Sequence, residues 1–338
     1  MKKLATALAS VLTLAAAGCS AAATGDGLDP DKLTVYSAQH ENVTEAWAKA
    51  YTEATGVEVQ IRYGKDISMG NQIVEEGDAT PADVFLTENS PAMTTVQEAD
   101  MLEPVDDATL AQIPDGRAPS NGLWTGIAAR STVLVYNPSM ITEAELPKSM
   151  MELSDPKWKQ QWGAGASGAD FQAIIAGMLE LEGEEATKAW LAGLKDNANI
   201  YQNNIATMKA VNAGEVPMGI MYHYYWYRDQ AGTKEGSGNT QLYYFKNQDA
   251  GAFVSLSAGG VLKASDKKSE AQEFLAYVTS PEGQAVLTDA GTMEYAVANG
   301  ATSDPALPPL ESLDPPVIDP FSLDAAKVAE LMTDAGVL

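Results

Sequence analysis

Residues 32–64 read KLTVYSAQHENVTEAWAKAYTEATGVEVQIRYG, and their hydrophobic pattern changes period twice. KLTVYSAQ is strand-like. From Val43 the apolar positions Val43, Ala46, Trp47, Ala50, Tyr51 and Ala54 recur at helical spacing as far as Gly56, and VEVQIRYG follows as a second strand. The alternation continues outward. MGNQIVEEG is helical in pattern, PADVFLT is strand-like, and SPAMTTVQEADML is a helix with Ser90 expected as N-cap and Pro91 at the first helical position. A β-α-β-α-β-α order predicts an α/β fold with a mostly parallel sheet covered by helices, and it puts ligands at the carboxyl ends of the strands. His40 and Glu88 both lie just beyond such ends.

At WTGIAARSTVLVYNP a long β-rich stretch is expected to carry the chain from one lobe into another. The second half is helix-rich. DFQAIIAGMLELEG and EATKAWLAGLKDN are amphipathic, NIATMKAVNAGE opens on Asn204 as a capping candidate, and VPMGIMY is a strand. GAFVSLSAGGVLKAS is expected to give two more strands, SEAQEFLAYVTSPEGQAVLTDAG a helical region, and SLDAAKVAELMTDAG a last helix capped by Ser322. Two lobes with a ligand cleft between them follow from this order.

The N-terminus sets the address. MKKLATALASVLTLAAAGCS has a basic start, an apolar run and small residues, the pattern of an export signal over residues 1–18. Cys19, the single cysteine, resembles the lipidated cysteine of a bacterial lipoprotein, which would anchor the chain to a membrane. Residues 19–31 are small and polar and are expected to form a tether. One cysteine excludes a disulfide framework, and a formal charge of −25 argues against nucleic acid, whose phosphates demand clustered Lys and Arg. The 338 residues suffice for roughly two domains of about 150 residues each.

The stretch MYHYYWYRDQ, residues 221–230, holds four tyrosines and one of the two histidines. Neighbouring side chains of a strand point to opposite faces, so Tyr224 and Tyr225 converge on one object only where the strand ends and the backbone turns. With SAQHEN, FLTENSPA, ASGAD and YQNN, this stretch stands in the order and approximate spacing of the periplasmic ferric-binding proteins. From about Leu33 to the C-terminus the chain resembles that family. The resemblance implies a type II periplasmic-binding-protein fold delivering iron to an ABC importer in the membrane, as a monomer. It divides the chain into residues 32–130 plus about 255–305, and residues 131–254 plus about 306–338. His40, Glu88, Tyr224 and Tyr225 occupy its four protein-ligand positions.

Elementary chemistry supports the same set. Fe(III) is a hard, highly charged cation, and a metal able to deprotonate bound thiols or water also displaces the proton of a phenol whose free pKa is near 10. Two phenolates and one carboxylate balance three positive charges, and a neutral imidazole adds a fourth donor. Two octahedral positions stay open, which suit water and a small anion, and the resemblance implies a synergistic anion, carbonate or phosphate. Ser167, Gly168 and Ala169 precede a helix and offer amides for an anion cradle. Asn204 matches a second anion contact, Arg130 is a third candidate, and Tyr222 stands where the family has an asparagine. Tyr222 is either a bulky neighbour of the anion or an extra ligand, and His223 is expected behind the ligands rather than among them.

Two other functions compete. A receptor for an organic cation, a polyamine or a thiamine-like compound, would use the tyrosines and Trp226 as an aromatic box. Such a cage has no need of imidazole, whereas a metal site does, so His40 favours iron. A hydrolase is disfavoured because GAGASGAD does not fit the G-x-S-x-G nucleophile elbow.

Overall fold

The computed structural model describes residues 27–338. The export signal, Cys19 and most of the expected tether lie outside the described residues. Among the described residues no helix is long and apolar enough to cross a membrane.

The first part of the chain runs β1 (Leu33–Ser37), α1 (Glu41–Thr55), β2 (Val59–Tyr63), α2 (Asp66–Glu76), β3 (Val84–Thr87), α3 (Ser90–Glu98), β4 (Leu102–Glu103) and α4 (Asp107–Leu110). After β5 (Thr125–Tyr136) come β6 (Trp162–Ala164), α5 (Ala169–Glu182), α6 (Glu184–Asn197), β7 (Ala198–Ile200), α7 (Asn204–Ala213), β8 (Met218–Tyr222), α8 (His223–Ala231) and β9 (Gln241–Tyr243). The chain closes with β10 (Val254–Leu262), α9 (Lys268–Val278), α10 (Pro281–Asp289) and α11 (Ala325–Asp334).

The strands lie in the order β2-β1-β3-β10-β5-β8-β6-β7, with β4 beside β10 and β9 beside β5. β1 is parallel to β2 and β3, and β6 is parallel to β7 and β8, whereas β5 and β10 run antiparallel to their neighbours. Each lobe therefore has a parallel outer set closed by antiparallel crossing strands, more mixed than the alternating pattern predicts. The reason is connectivity: β5 and β10 carry the chain between lobes in opposite directions. β5 pairs with β10 from Thr125 to Ser131 and with β8 from Thr132 to Tyr136, so it belongs to both sheets.

β1 is buried along its whole length, as expected for a parallel strand covered on both faces. Leu33, Val35, Val84 and Leu86 pack with Trp47, Tyr51 and Phe274 on one face, while Tyr36 and Phe85 pack with Met69, Ile73 and Trp124 on the other. In the second lobe Met218, Ile220 and Tyr222 of β8 join Trp162, Trp190 and Phe171, and Met221 points oppositely to Val133, Val135 and Met208. Period-two alternation thus builds two cores per sheet.

Several boundaries differ from the sequence reading. Residues 254–262 form one strand rather than two, because the Ala-Gly-Gly step that resembles a turn is absorbed by a bulge at Ser257/Ala258. The helical region near 268–289 is two helices, split at Pro281, with the Ser280 hydroxyl accepting the Gly283 N–H. The N-caps are Asn89, Asn203 and Asp324, not Ser90, Asn204 and Ser322. Asn203 Oδ1 accepts the Ala206 N–H at 2.9 Å and Asp324 Oδ1 the Lys327 N–H at 2.7 Å, which leaves Asn204 inside its helix and free to point elsewhere.

Candidate functional site

Four segment ends meet at the junction of the lobes. His40 follows β1 as the N-cap of α1, Glu88 follows β3, Asp170 lies in the first turn of α5, and Tyr224 and Tyr225 lie in the first turn of α8 directly after β8. The strand ends at Tyr222, and the first helical turn then places adjacent phenols on one side with ring centroids 4.1 Å apart and stacked. This is the turn that convergence of the pair requires.

Each phenol donates its proton to a carboxylate. Tyr224 Oη lies 2.9 Å from Glu88 Oε1, and Tyr225 Oη lies 2.9 Å from Asp170 Oδ2. His40 Nε2 is buried within ion-pair distance of two carboxylates, 3.8 Å from Glu88 Oε1 and 3.1 Å from Glu294 Oε1, without a hydrogen bond to either. A desolvated nitrogen without a hydrogen bond, beside two phenol–carboxylate pairs, is what a hard cation can use. Such a cation would replace the two phenolic protons and take a lone pair from a neutral imidazole. Among the described residues no group of three or more His, Cys, Asp and Glu side chains is arranged to hold a metal ion.

Burial sets the electrostatics. It pushes the Tyr224 and Tyr225 hydroxyls well above the usual phenol range, reinforced by the charges of Asp170 and Glu88. Without a cation both stay protonated. Burial also raises Asp170 to about 6 and Asp66 to about 8, in each case with the Glu88 charge adding to the effect. Burial acts upward on Glu294 as well, but Arg130 and His40 outweigh it and hold that carboxyl at about 2. The region collects more acid than base, a surplus that a bound cation relieves.

The anion candidates separate. Asn204 Nδ2 donates to Asp170 Oδ2 at 2.6 Å, and Asn89 Nδ2 donates to Asp170 Oδ1 at 2.9 Å. Asn204, expected to contact an external anion, therefore holds a carboxylate of the chain itself. Ser167 is exposed, and the Gly168 N–H closes a turn on the Gly165 carbonyl at 3.2 Å. Arg130 is fully buried, bound to Glu294 through Nε at 3.1 Å and Nη2 at 2.7 Å, and its Nη2 lies 3.8 Å from Glu88 Oε1. Tyr222 is also buried, and its hydroxyl meets Asn89 Oδ1 at 3.4 Å rather than Glu88 or Asp170. His223 lies behind the phenols: its Nδ1 accepts the Ser131 N–H at 3.1 Å, its ring stacks on Tyr295, and burial lowers its pKa to about 3. It is a neutral ring packed at the crossing strands.

Sequence reasoning missed Asp170, Glu294, Asn89 and Asp66. Asp170 closes the ASGAD motif, so its signal was present as a carboxylate one residue beyond the expected cradle. Asp66 accepts the backbone N–H groups of Glu88 at 2.7 Å and Asn89 at 2.9 Å, fixing the strand end that carries both. Nothing local marks it.

Gly165 supports this geometry from below. A Cβ there would lie 2.7 Å from the Asn203 carbonyl carbon and 2.8 Å from its Cα. Gly165→Ala is expected to cost about 1–3 kcal/mol of stability by forcing the start of α7, and with it Asn204, away from Asp170. Urea unfolding of the metal-free protein measures this, and an unchanged midpoint would show that the contact relaxes freely.

The family model of bacterial extracellular solute-binding proteins matches residues 79–316. The Fe(3+)-binding periplasmic protein of Serratia marcescens is 51% identical over 331 residues, covering 98% of this chain and 96% of that protein. The major ferric iron-binding protein of Neisseria meningitidis serogroup B is 34% identical over 309 residues, covering 90% and 93%. Among solved structures, iron-bound HitA from Pseudomonas aeruginosa superposes with a TM-score of 0.83 at 42% identity, covering 90% of this chain and 99% of that one. The Trichodesmium protein IdiA (FutA), in complex with iron and citrate, gives 0.81 at 28% identity, covering 91% and 100%. With its two-lobed type II periplasmic-binding-protein fold, this chain belongs to the bacterial extracellular solute-binding proteins, among the periplasmic ferric iron-binding members of that family.

Proposed function

We propose that this protein captures Fe(III) between its lobes and delivers it to an ABC importer, without chemical turnover. The observation that carries the reading is the pair of phenol–carboxylate hydrogen bonds, Tyr224 to Glu88 and Tyr225 to Asp170, facing a buried His40 Nε2 that makes no hydrogen bond. Residues 32–130 plus about 255–305 and residues 131–254 plus about 306–338 are the two lobes on this reading. His40 and Glu88 then come from one lobe, and Asp170 and the phenols from the other. Binding biases closure because only the closed form brings both sets together.

Asp170 takes the part first given to a synergistic anion. Its carboxylate is already held by Asn89 and Asn204, so it is preorganised beside Tyr225 as a fifth oxygen-rich donor. Carbonate and phosphate become unnecessary, and one position remains for water. Export, lipid anchoring at Cys19 and action as a monomer complete the proposal. The aromatic-box alternative fares worse, since the Tyr224 ring is fully buried and stacked on Tyr225 instead of offering an open face.

The test is loading of metal-free protein with Fe(III) in buffer stripped of carbonate and phosphate. About one iron per chain retained through desalting, with a visible phenolate-to-iron band, is the expected result. Protein that stays colourless and iron-free would overturn the assignment. Iron bound only after phosphate is returned would overturn the part given to Asp170.

A further inference from the structure

Arg130 poses a problem for any cation site here. Its guanidinium is fully buried, its Nη2 lies 3.8 Å from Glu88 Oε1, and its Cζ sits 5.6 Å from the centroid of the Tyr224 ring. A fixed positive charge at that range opposes a trivalent ion, and little solvent is present to screen it. Glu294 answers the problem. It is also fully buried, and its Oε1 accepts from both Nε and Nη2 of Arg130 while facing His40 Nε2 at 3.1 Å. Gln39 completes the arrangement, its Oε1 accepting from Arg130 Nη2 at 3.3 Å and its Nε2 donating to Glu294 Oε2 at 3.3 Å.

We infer that Glu294 is a positioning residue of the iron site that acts through charge: it neutralises Arg130 and holds the guanidinium beside Glu88 and the Tyr224 ring, so that the pair presents no net charge to the incoming cation. This rests on the reading of His40, Glu88, Tyr224 and Tyr225 as ligands. Glu294 stands outside that set because its carboxylate is committed to Arg130. The placement is structural as well as electrostatic. Arg130 lies on β5, and Glu294 is next to Tyr295, whose backbone bridges Ala129, so the ion pair also ties two segments together where the lobes join.

A merely structural role and a charge role part company under paired substitution. Glu294→Gln preserves shape but leaves Arg130 uncompensated, and Fe(III) affinity should fall at least about tenfold. The phenolate-to-iron band should also move to higher energy, because a nearby positive charge stabilises the phenolate electrons. The double variant Arg130→Gln/Glu294→Gln removes both charges. It should recover affinity to within about threefold of the parent and return the band, even where thermal melting shows both variants to be less stable without metal. Competition titration against a calibrated chelator, together with visible spectra, reads both effects. Unchanged affinity in Glu294→Gln would overturn the inference, as would a folded double variant as weak as the single one. A parent protein without any iron band would overturn the site reading as well, which distinguishes the two failures.

Discussion

Tyr224→Phe and Tyr225→Phe will each abolish or strongly shift the visible band of the iron-loaded protein, with Fe(III) affinity reduced at least about a hundredfold. Partners that merely orient a ligand are worth 10–100-fold, so loss of an anionic ligand costs more. The two variants should not behave alike when metal-free. Tyr224→Phe removes the proton donor to Glu88 beside the Arg130 guanidinium, a change the remaining charges can absorb. Tyr225→Phe strips one of three donors from the Asp170 carboxylate, whose other partners are Asn89 and Asn204. Circular dichroism and melting curves guard against misfolding. Two folded variants with unaltered colour and iron content would remove the phenols from the coordination set.

The second large effect concerns Asp170. Asp170→Ala deletes the carboxylate and leaves two amide donors, Asn89 Nδ2 and Asn204 Nδ2, around a vacated space beside Tyr225. Iron binding in anion-free buffer should fall by at least about a hundredfold, and added phosphate or carbonate should restore much of it by taking the deserted hydrogen bonds. The parent protein should be indifferent to the same additions. This contrast turns an anion-independent site into an anion-dependent one by removing a single side chain. Equal affinities of parent and variant without anions would show that Asp170 contributes no donor. Failure of any anion to rescue the variant would show that the space does not stay open.

Much of this was legible in the chain. The change of period across residues 32–64 gives β1, α1 and β2, and residues placed just after strands, His40 and Glu88, do arrive at the cleft. The double tyrosine needed one further inference, that a strand ends there, and α8 begins at His223 as required. What remained hidden depends on pairing across long separations. Arg130 and Glu294 are 164 residues apart, and Asn89 and Asp170 are 81 apart, so no local pattern announces either contact. Asp170 is a different case. A Ser-Gly pair before a helix drew attention to backbone amides, while the neighbouring side chain supplied the negative charge that those amides were expected to bind. The missed caps have a similar origin, since Asn203 and Asn204 are chemically equivalent and only geometry assigns one to the helix end and the other to Asp170.

The crossing strands have a consequence for the order in which the protein is made. β3 finds its partner β10 only through contacts such as Thr87 with Ala258, 171 residues apart in sequence. The first lobe is therefore incomplete until most of the chain is available, and β3 presents an unpaired edge in the meantime. Closing such long loops before native contacts reward them makes folding slow. The segment made first therefore cannot lock into a finished lobe ahead of the rest.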